Sequence, residues 1–462
     1  MHCRSAIRPL ALLALTLLVS APSWAQRPRP DRPYRGLFGG DGADPNSDQA
    51  LDMSASLSAA YDDNVLGNET LGGVDPRFQE SGAYAAGSLS VDYTRHAGRA
   101  DVDLTGGSTY RYYPTIQVLD GASYFESIGV TVRLAPRTTM RATESLTYTP
   151  YYGLGALTTV FGTTAAGDLA PIGYTAPLVK RAAVIEFGST SVDYRLTSRA
   201  TLTGDASYGS ADYHEPQYPA FQNWAAGGMF SYRLDPNATL KLGYHFRRGT
   251  FGLYAGNEPI DSHDLDVGMD YSRPLSASRK TTVGFTTGST IYSSFDTLAQ
   301  ATGGAAPPAT PGTLSATDLY LRTHYTVTGT AFLNRQIGRS WNARINYSRG
   351  LQYVEAFPNP FFSDSVNAAA TGFWGERSRL NFSAGYTNGS VGTVTVTPQS
   401  YVMSNGVANY QMALTRFVAM FAEYDYYHYT FDQSVVLPAG MSHSLNRNSV
   451  RVGVNLWAPL LR

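Results

Sequence analysis

The chain has 462 residues, of which 43% are hydrophobic, 12% aromatic and only 15% charged, and its formal net charge is −1. Few charges and many aromatic residues argue against a disordered protein, and the near-neutral balance lacks the basic excess of a nucleic-acid binder. A mean hydropathy of −0.21 argues against a bundle of membrane helices, which needs repeated runs of about 20 apolar residues.

Residues 1–25 have the pattern of a secretory signal peptide. A basic start at Arg4 and Arg8 is followed by an apolar run, 9–19, which is too short to span a bilayer, and then by a small-residue cleavage pattern. We predict that this segment is removed. The single cysteine, Cys3, lies inside it, so the mature chain is predicted to contain no disulfide.

Residues 26–50 differ in composition from everything that follows. They are rich in Pro, Arg and Gly, which favours an extended tail without internal hydrogen bonds. The glycine-rich run 36–42 follows no predicted strand and precedes no helical pattern, so we interpret it as linker and not as a phosphate-binding loop.

One pattern repeats over residues 51–462: about a dozen residues alternate between apolar and polar, and turn residues follow. Clear examples lie at 51–62, 238–247 and 450–457. In a strand, this alternation places one set of side chains on each face, so each predicted strand has one apolar face and one polar face. The pattern covers more segments than a β-sandwich needs.

The connections between these strands alternate in length. The short ones lie near 94–99, 135–138, 196–199, 235–237, 274–279, 334–340, 375–378 and 415–416. Eight short and nine long connections predict 18 strands, although uncertain boundaries at 182–195 and 314–333 leave 16 strands open. A soluble all-β protein such as a propeller does not explain the two lengths, whereas bacterial outer-membrane barrels combine short periplasmic turns with long extracellular loops.

We therefore predict an all-β, transmembrane antiparallel β-barrel over residues 51–462, in the outer membrane of a Gram-negative-type bacterium. In this arrangement, residues 26–50 are predicted to form a periplasmic tail. Tyrosines cluster at 110–113, 148–152 and 424–429, near predicted strand ends, where their rings suit the membrane interface. Glu144 falls in the apolar register, which indicates a bulge, a wrong register or a locally protected site.

The polar register predicts which charged side chains line the lumen. The candidates are Asp101, Asp103, Arg111, Arg133, Arg141, Lys241, Arg247, Asp266, Asp270, Arg322, Arg344 and Arg451. Because neither sign dominates, the wall argues against a strongly ion-selective pore. Polar walls with Tyr and Arg suit neutral or weakly charged sugars.

The sequence predicts no catalytic, metal-binding or cofactor-binding residues, and we predict that the protein is not an enzyme. Its eight histidines show no paired metal spacing, and no Gly-x-Ser-x-Gly elbow precedes a helix. The segment 62–64 is read as an Asx-type turn in preference to a calcium site. His428 is the one histidine found in the apolar register of the wall, where a lipid hydrolase would need it.

Three short segments carry a resemblance to a known family: Pro-Tyr-Arg-Gly-Leu-Phe-Gly at 33–39, Tyr-Asp-Asp-Asn-Val at 61–65, and the closing strand at 452–460. With the signal peptide, they resemble the bacterial outer-membrane β-barrel porin family that includes barrels linked to exopolysaccharide export. The resemblance implies a passive conduit driven by inner-membrane machinery. We predict as partners the outer-membrane lipid, the barrel assembly machinery and periplasmic polysaccharide export components reached through the 26–50 tail, and no nucleic acid.

The predicted function is an outer-membrane channel that passively conducts hydrophilic solutes, with export of a secreted polysaccharide as the favoured reading. A general diffusion or nutrient-uptake porin is the first alternative. An outer-leaflet lipid-modifying enzyme and a structural or adhesive barrel are the others.

Overall fold

A computed structural model provides the structure of the chain. It describes residues 38, 48–64, 81–114, 120–153, 177–213, 220–251, 259–276, 279–297, 319–338, 340–352, 361–391, 399–435, 437 and 442–461. The predicted signal peptide, nearly all of the predicted tail and most of the long connections lie outside the described residues.

Eighteen strands make up the described chain. They are β1 (Gln49–Asp62), β2 (Gly82–Ala97), β3 (Ala100–Tyr112), β4 (Gly121–Ala135), β5 (Thr138–Gly153), β6 (Pro177–Arg195), β7 (Ala200–Asp212), β8 (Phe221–Arg233), β9 (Ala238–Phe251), β10 (Ile260–Ser276), β11 (Arg279–Thr297), β12 (Leu319–Ile337), β13 (Trp341–Gln352), β14 (Phe361–Trp374), β15 (Ser378–Val391), β16 (Ser400–Ala413), β17 (Val418–Phe431) and β18 (Ser444–Leu461).

Each strand pairs antiparallel with its neighbours in sequence, and β1 pairs with β18, so the sheet closes into a barrel. At the closure, Leu57 is opposite Val454 and Tyr61 is opposite Val450. Closure leaves no strand edge unpaired, which is the condition for a sheet to survive in lipid. The predicted fold and the count of 18 strands are confirmed, and the alternative count of 16 is wrong. Among the described residues, no helix is long and apolar enough to cross a bilayer.

The two connection lengths are also observed. From the strand bounds, eight connections span two to four residues and nine span eight to 23. Three of the short turns use the same device: Thr197, Asp235 and Thr415 each accept hydrogen bonds from the backbone N–H groups two and three residues later. Three others place a glycine at positive φ, as in Gly98 (φ 54°), where a side chain would be strained. By the rule for outer-membrane barrels, this short-turn end faces the periplasm.

One face of the sheet is apolar and uncovered. Leu57 is 70% exposed, Val327 63% and Tyr325 77%, and similar residues recur around all sides of the barrel. In water this surface would carry a large hydrophobic penalty, whereas hydrocarbon solvates it. A closed barrel with such an exterior is a transmembrane barrel of the outer-membrane type.

Two sequence expectations about this exterior need correction. Tyr113, Tyr427 and Tyr429 belong to the predicted interfacial clusters, yet they are buried because their register turns them to the other face of the sheet. Glu144 pairs with Ile128 and Gly188 in an uninterrupted register, so neither a bulge nor a wrong register explains it. Its carboxylate lies on the outer face, on the same side as Glu126 and Glu186, which both pair with Leu146.

Candidate functional site

The polar face of the sheet is the inner wall of the barrel. The guanidinium of Arg247 on β9 donates a hydrogen bond to the carbonyl of Leu351 on β13, 3.3 Å away. Three strands lie between them, so the side chain reaches its partner through the interior. Every residue that shares the register of Arg247 therefore faces inward.

Eleven of the twelve predicted lumen residues lie in this inner register. They are Asp101, Asp103 and Arg111 on β3, Arg133 on β4, Arg141 on β5, Lys241 and Arg247 on β9, Asp266 and Asp270 on β10, Arg344 on β13, and Arg451 on β18. For Arg322 the structure describes only the backbone, which pairs with Ser294 of β11. The structure joins some of these residues in pairs and leaves others, such as Arg344 and Arg133, in separate regions of the wall.

A ladder of charges runs along β9 and β10. Lys241 forms an ion pair with Asp270. Farther along the same wall, toward the long loops, His245 lies 3.3 Å from a carboxylate oxygen of Asp266. Arg247 lies 2.9 Å from Asp264. All three contacts are diagonal across the two strands, since Asp270 is opposite Thr239 and Lys241 is opposite Gly268. Two of these contacts, Lys241 with Asp270 and Arg247 with Asp264, join side chains of opposite charge.

His245 and Asp264 are not among the twelve listed candidates, although both lie in the polar register that the sequence predicts. His245 also lies 3.4 Å from Asp205 of β7, and the small Gly227 of the intervening β8 makes room for its ring. A side chain added at Gly227 would collide with the imidazole. Asp264, at the top of the ladder, accepts a hydrogen bond from the Thr290 hydroxyl. The same alternation that selects Asp266 also selects these positions.

A second charged group is buried at the closure of the barrel. Asp62 of β1 and Arg447 of β18 form an ion pair in which both side chains are almost fully buried, with Nε of Arg447 2.7 Å from the carboxylate. Arg451 pairs with Glu423, which also accepts a hydrogen bond from Asn409 at 2.7 Å. Buried charges of this kind are tolerated only when they are paired. Of these residues the sequence candidates include only Arg451.

The segment 62–64 forms the Asx-type turn that its sequence predicts. The backbone N–H of Asn64 donates to Asp62 at 2.9 Å, and Asp63 accepts bonds from the backbone and side chain of Asn448 at 2.7 and 2.6 Å. Both carboxylates are therefore engaged by the chain. Within the described part of the chain, no group of three or more His, Cys, Asp or Glu residues is placed to hold a metal ion.

The inner wall near the long-loop end is packed with large side chains. Phe361 lies 4.9 Å from the ring of Tyr401, and Phe431 lies 5.4 Å from Tyr429, and all four rings are at most 1% exposed. Other inner residues at this end are equally covered, among them Ala183, Ala211, Ser262, Ser363, Ser365, Leu445 and Ser449. The described wall is therefore covered by protein at its extracellular end and does not face an open column of water.

Two ionisable groups lie just beyond strand ends at this side of the molecule. Burial raises the pKa of the Tyr113 hydroxyl, and the neighbouring Arg111 guanidinium opposes that shift. Asp432 follows β17, and hydrogen bonds from the backbone N–H and hydroxyl of Ser434, at 2.9 and 2.8 Å, hold its pKa below the usual range. Each loop group is therefore fixed in one charge state near neutral pH.

The short-turn end of β4–β6 forms an open recess of about 620 Å³. We call it the arginine recess: it is lined by Arg133, Pro136, Arg137, Thr139, Arg141, Asp193, Arg195 and Thr201. Asp193 is the one carboxylate in this lining, and it pairs with Arg141. Four arginines against one aspartate leave a local excess of three positive charges. Of these residues only Arg133 and Arg141 are among the sequence candidates.

The outer wall carries two histidines in the described chain, where the sequence analysis finds one. His428 lies 3.3 Å from the hydroxyl of Thr430. His263, on β10, is also on the outer face, where its ring nitrogen lies 2.9 Å from the Tyr244 hydroxyl. Both rings lie near the long-loop end, a position typical of amphipathic interfacial side chains.

The chain matches no protein-family model and no curated protein sequence. Among solved structures it is similar to OccK2 (OpdF) of Pseudomonas aeruginosa in complex with glucuronate, with 10% identity and a TM-score of 0.43, covering 92% of this chain and 100% of that one. OpdO of P. aeruginosa has 11% identity and a TM-score of 0.44, covering 92% and 99%. OccAB2 of Acinetobacter baumannii has 8% identity and a TM-score of 0.44, covering 89% and 98%.

A likeness of this strength concerns the barrel and carries no information on substrate. The conclusion about the molecule rests on its own strand pairing and on its two faces. The chain is an 18-stranded outer-membrane β-barrel whose polar wall encloses a lumen.

Proposed function

We propose that the chain is a passive outer-membrane channel for small hydrophilic solutes, in the manner of a diffusion or nutrient-uptake porin. The observation that carries the proposal is the contrast along the lumen, which is lined by exposed polar and charged side chains near the short turns and packed near the long loops. Barrels of 16 to 18 strands are wide enough to hold an aqueous channel. Packing at one end narrows that channel without removing its polar wall.

Polysaccharide export, the function favoured by the sequence analysis, receives less support. A polymer needs a wide path through both ends of the barrel, whereas Phe361, Tyr401 and Tyr429 fill space on the inner wall at the extracellular end. Small solutes need only a narrow path. The alternative stated from the sequence, a general diffusion or uptake porin, is therefore the better reading.

The apolar exterior supports outer-membrane lipid as the solvent of the barrel. We also propose that assembly requires the machinery that inserts such barrels. The predicted signal peptide and tail lie outside the described residues, so their proposed roles rest on the sequence alone.

Reconstitution of the purified chain tests the channel function. In planar bilayers we expect discrete conductance steps, and in liposomes we expect swelling in pentose and hexose solutions that falls as the solute grows to an oligosaccharide. Vesicles that contain the unfolded chain provide the control. A folded barrel that neither conducts nor admits sugars would contradict the proposal, and free passage of long dextrans would restore polysaccharide export.

A further inference from the structure

The strands of the barrel are not paired equally far around the wall. The pairing of β12 with β13 runs from the short turn only as far as Gly329 and Arg349, and it is the shortest of the barrel's eighteen ladders. We call residues 326–329 of β12 and 349–352 of β13 the seam. We propose that the seam is a lateral opening through which small apolar solutes pass between the lumen and the outer leaflet. This path goes beyond the proposed channel, which connects the two ends of the barrel.

Both strands continue beyond the point where their pairing stops. Residues 319–328 of β12 remain paired with β11, and residues 350–352 of β13 remain paired with β14. Within the part of the chain that the structure describes, these two segments do not pair with each other. The seam is therefore a separation of two intact strands within the wall, and not the frayed end of one strand.

Two arginines take the place of the missing backbone hydrogen bonds. If the register of the ladder continued, Val327 would be opposite Leu351. Instead, Nε of Arg349 donates a hydrogen bond to the carbonyl of Val327 at 3.2 Å. On the inner face, Nη1 of Arg247 donates one to the carbonyl of Leu351 at 3.3 Å. Backbone groups in a membrane need partners, and here side chains supply them. A side chain changes rotamer without unfolding a strand, so the seam can open while the ladders on both sides stay closed.

The height of the seam places it in the outer leaflet. Arg349 lies eight residues above Trp341, the first residue of β13. Eight residues span about 26 Å along a strand, or roughly 20 Å along the membrane normal when the strand is tilted by about 40°. The apolar band of an outer-membrane barrel is about 25 Å tall, with the short turns on the periplasmic side. The seam therefore begins in the outer-leaflet half of the hydrocarbon and continues toward the extracellular surface.

The surfaces on the two sides of the seam indicate the class of solute. On the outer face, Tyr325 and Val327 are 77% and 63% exposed, and Tyr325 is the most exposed large hydrophobic side chain in the described chain. On the inner face, a Cβ added at Gly350 would meet no atom within 4 Å, so this side of the seam is open to the lumen. A solute that crosses from the lumen therefore arrives on an apolar surface in hydrocarbon, which favours an alkyl chain or an aromatic ring over a sugar or a salt.

The packed extracellular end gives a lateral path its use. Phe361, Tyr401 and Phe431 are at most 1% exposed on the inner wall, and Phe361 pairs with Gln352 at the top of the seam. These three rings lie 12 or 13 residues above the short turns of their strands, whereas the seam begins at eight. A solute that moves up from the solvated end therefore reaches the seam before it reaches the packed rings.

A thiol reagent confined to the bilayer tests the path directly. Cys3 is the only cysteine of the chain, so in a Cys3→Ser background Gly350→Cys introduces a single thiol on the inner face of the seam. Ser88→Cys is the matched control. Ser88 also lies in the inner register, nine residues above its short turn, but it is paired on both sides, with Ser56 and with Thr109.

Each full-length variant is placed in phosphatidylcholine vesicles and treated with N-dodecylmaleimide, which stays in the bilayer, or with the polar reagent iodoacetamide. Mass spectrometry follows the labelling. The ratio of the dodecylmaleimide rate to the iodoacetamide rate should be severalfold higher for Gly350→Cys than for Ser88→Cys, because only the seam connects the inner face with lipid. Equal ratios would overturn the inference.

A second comparison tests the arginine contacts. Arg349→Ala, added to Gly350→Cys, should raise dodecylmaleimide labelling about tenfold, as expected when a hydrogen bond from a charged group no longer holds the closed state. Arg248→Ala should leave labelling unchanged, because Arg248 is an outer arginine of β9 that pairs with Asp261 away from the seam. The mobility of the unheated protein in electrophoresis checks that every variant is folded. A folded Arg349→Ala variant with unchanged labelling would contradict the proposed role of the arginines and overturn the inference.

Conductance separates this inference from the proposed function. A barrel that conducts ions but gives equal labelling ratios at the two positions would keep the channel and reject the seam. A barrel that is labelled through the seam but conducts no ions would keep the seam and reject the channel.

Discussion

The two ends of the lumen differ in how much of each inward-facing side chain is exposed. Near the long loops, Phe361 and Tyr429 are fully buried and Arg447 is only 2% exposed. Near the short turns, the side chains of Arg141 and Lys241 are 53% and 28% exposed, although they share the same inner register. One alternating pattern therefore builds both a packed end and a solvated end. Small residues such as Ala211 and Ser365 are also buried at the packed end, so what covers the inward residue, and not its size or register, decides which.

The largest expected difference between the two ends concerns ion pairs. Arg447→Gln leaves the carboxylate of Asp62 buried without its main partner, which should lower the free energy of unfolding by about 3–5 kcal/mol. Urea titration of the barrel in lipid vesicles, followed by the mobility difference between folded and unfolded chain, measures this loss.

Arg141→Gln is the matched control at the solvated end. Its pair with Asp193 is half-exposed, so the free energy of unfolding should change by about 0–1 kcal/mol. If the two variants lost equal stability, the distinction between a packed and a solvated end would be wrong.

The sequence predicts the strands and the face on which each residue lies, but not which inward-facing residues are buried. Alternation and turn chemistry at Gly98, Asp235 and Thr415 are local properties, so strand number, closure and face could be derived from them. Burial of Tyr113 depends on contacts with Tyr84 across the sheet, and local spacing does not contain that information.

The arginine recess also contains residues that the sequence predicts and residues that it does not. Arg133 and Arg141 follow from the polar register, but Arg137 lies in a turn and Arg195 comes from a strand separated from β5 by a long connection. Their convergence needs the register between β5 and β6, which only strand pairing supplies. Alternation places Asp205 of β7 on the inner face, but its contact with His245 crosses the intervening strand β8 and cannot be derived from the spacing of one strand.

The second expected effect concerns the aromatic packing at the extracellular end. Tyr429→Ala removes a fully buried ring and should cost about 3 kcal/mol of unfolding free energy while raising single-channel conductance. Tyr429→Phe is the control: among the described residues the hydroxyl has no hydrogen-bond partner, so its loss should be close to neutral. Unchanged conductance in Tyr429→Ala would show that this end does not limit the channel.

A smaller effect is expected from the charge ladder at the solvated end. Lys241→Gln leaves Asp270 without its cation, so the wall becomes more negative and the reversal potential in a salt gradient should shift toward cation preference. Asp270→Asn should shift it in the opposite direction. Both variants should change the free energy of unfolding by about 0–1 kcal/mol, because the pair is solvated. Identical reversal potentials in all three proteins would show that ions do not pass this wall.

The smallest expected effect lies outside the membrane, at Asp432. Its folded pKa is lowered by the Ser434 hydrogen bonds, so the carboxylate supports the turn above the ordinary pKa and loses that contribution as pH falls through the folded pKa. Ser434→Ala removes the hydroxyl bond but keeps the backbone bond, and should raise the Asp432 midpoint in a carboxyl NMR titration. Ser442→Ala removes a hydroxyl that bonds the backbone of Ser444 and should leave the midpoint unchanged. If only Ser434→Ala shifts the midpoint, the effect is located in this turn. The packed wall below the turn does not depend on the charge of Asp432.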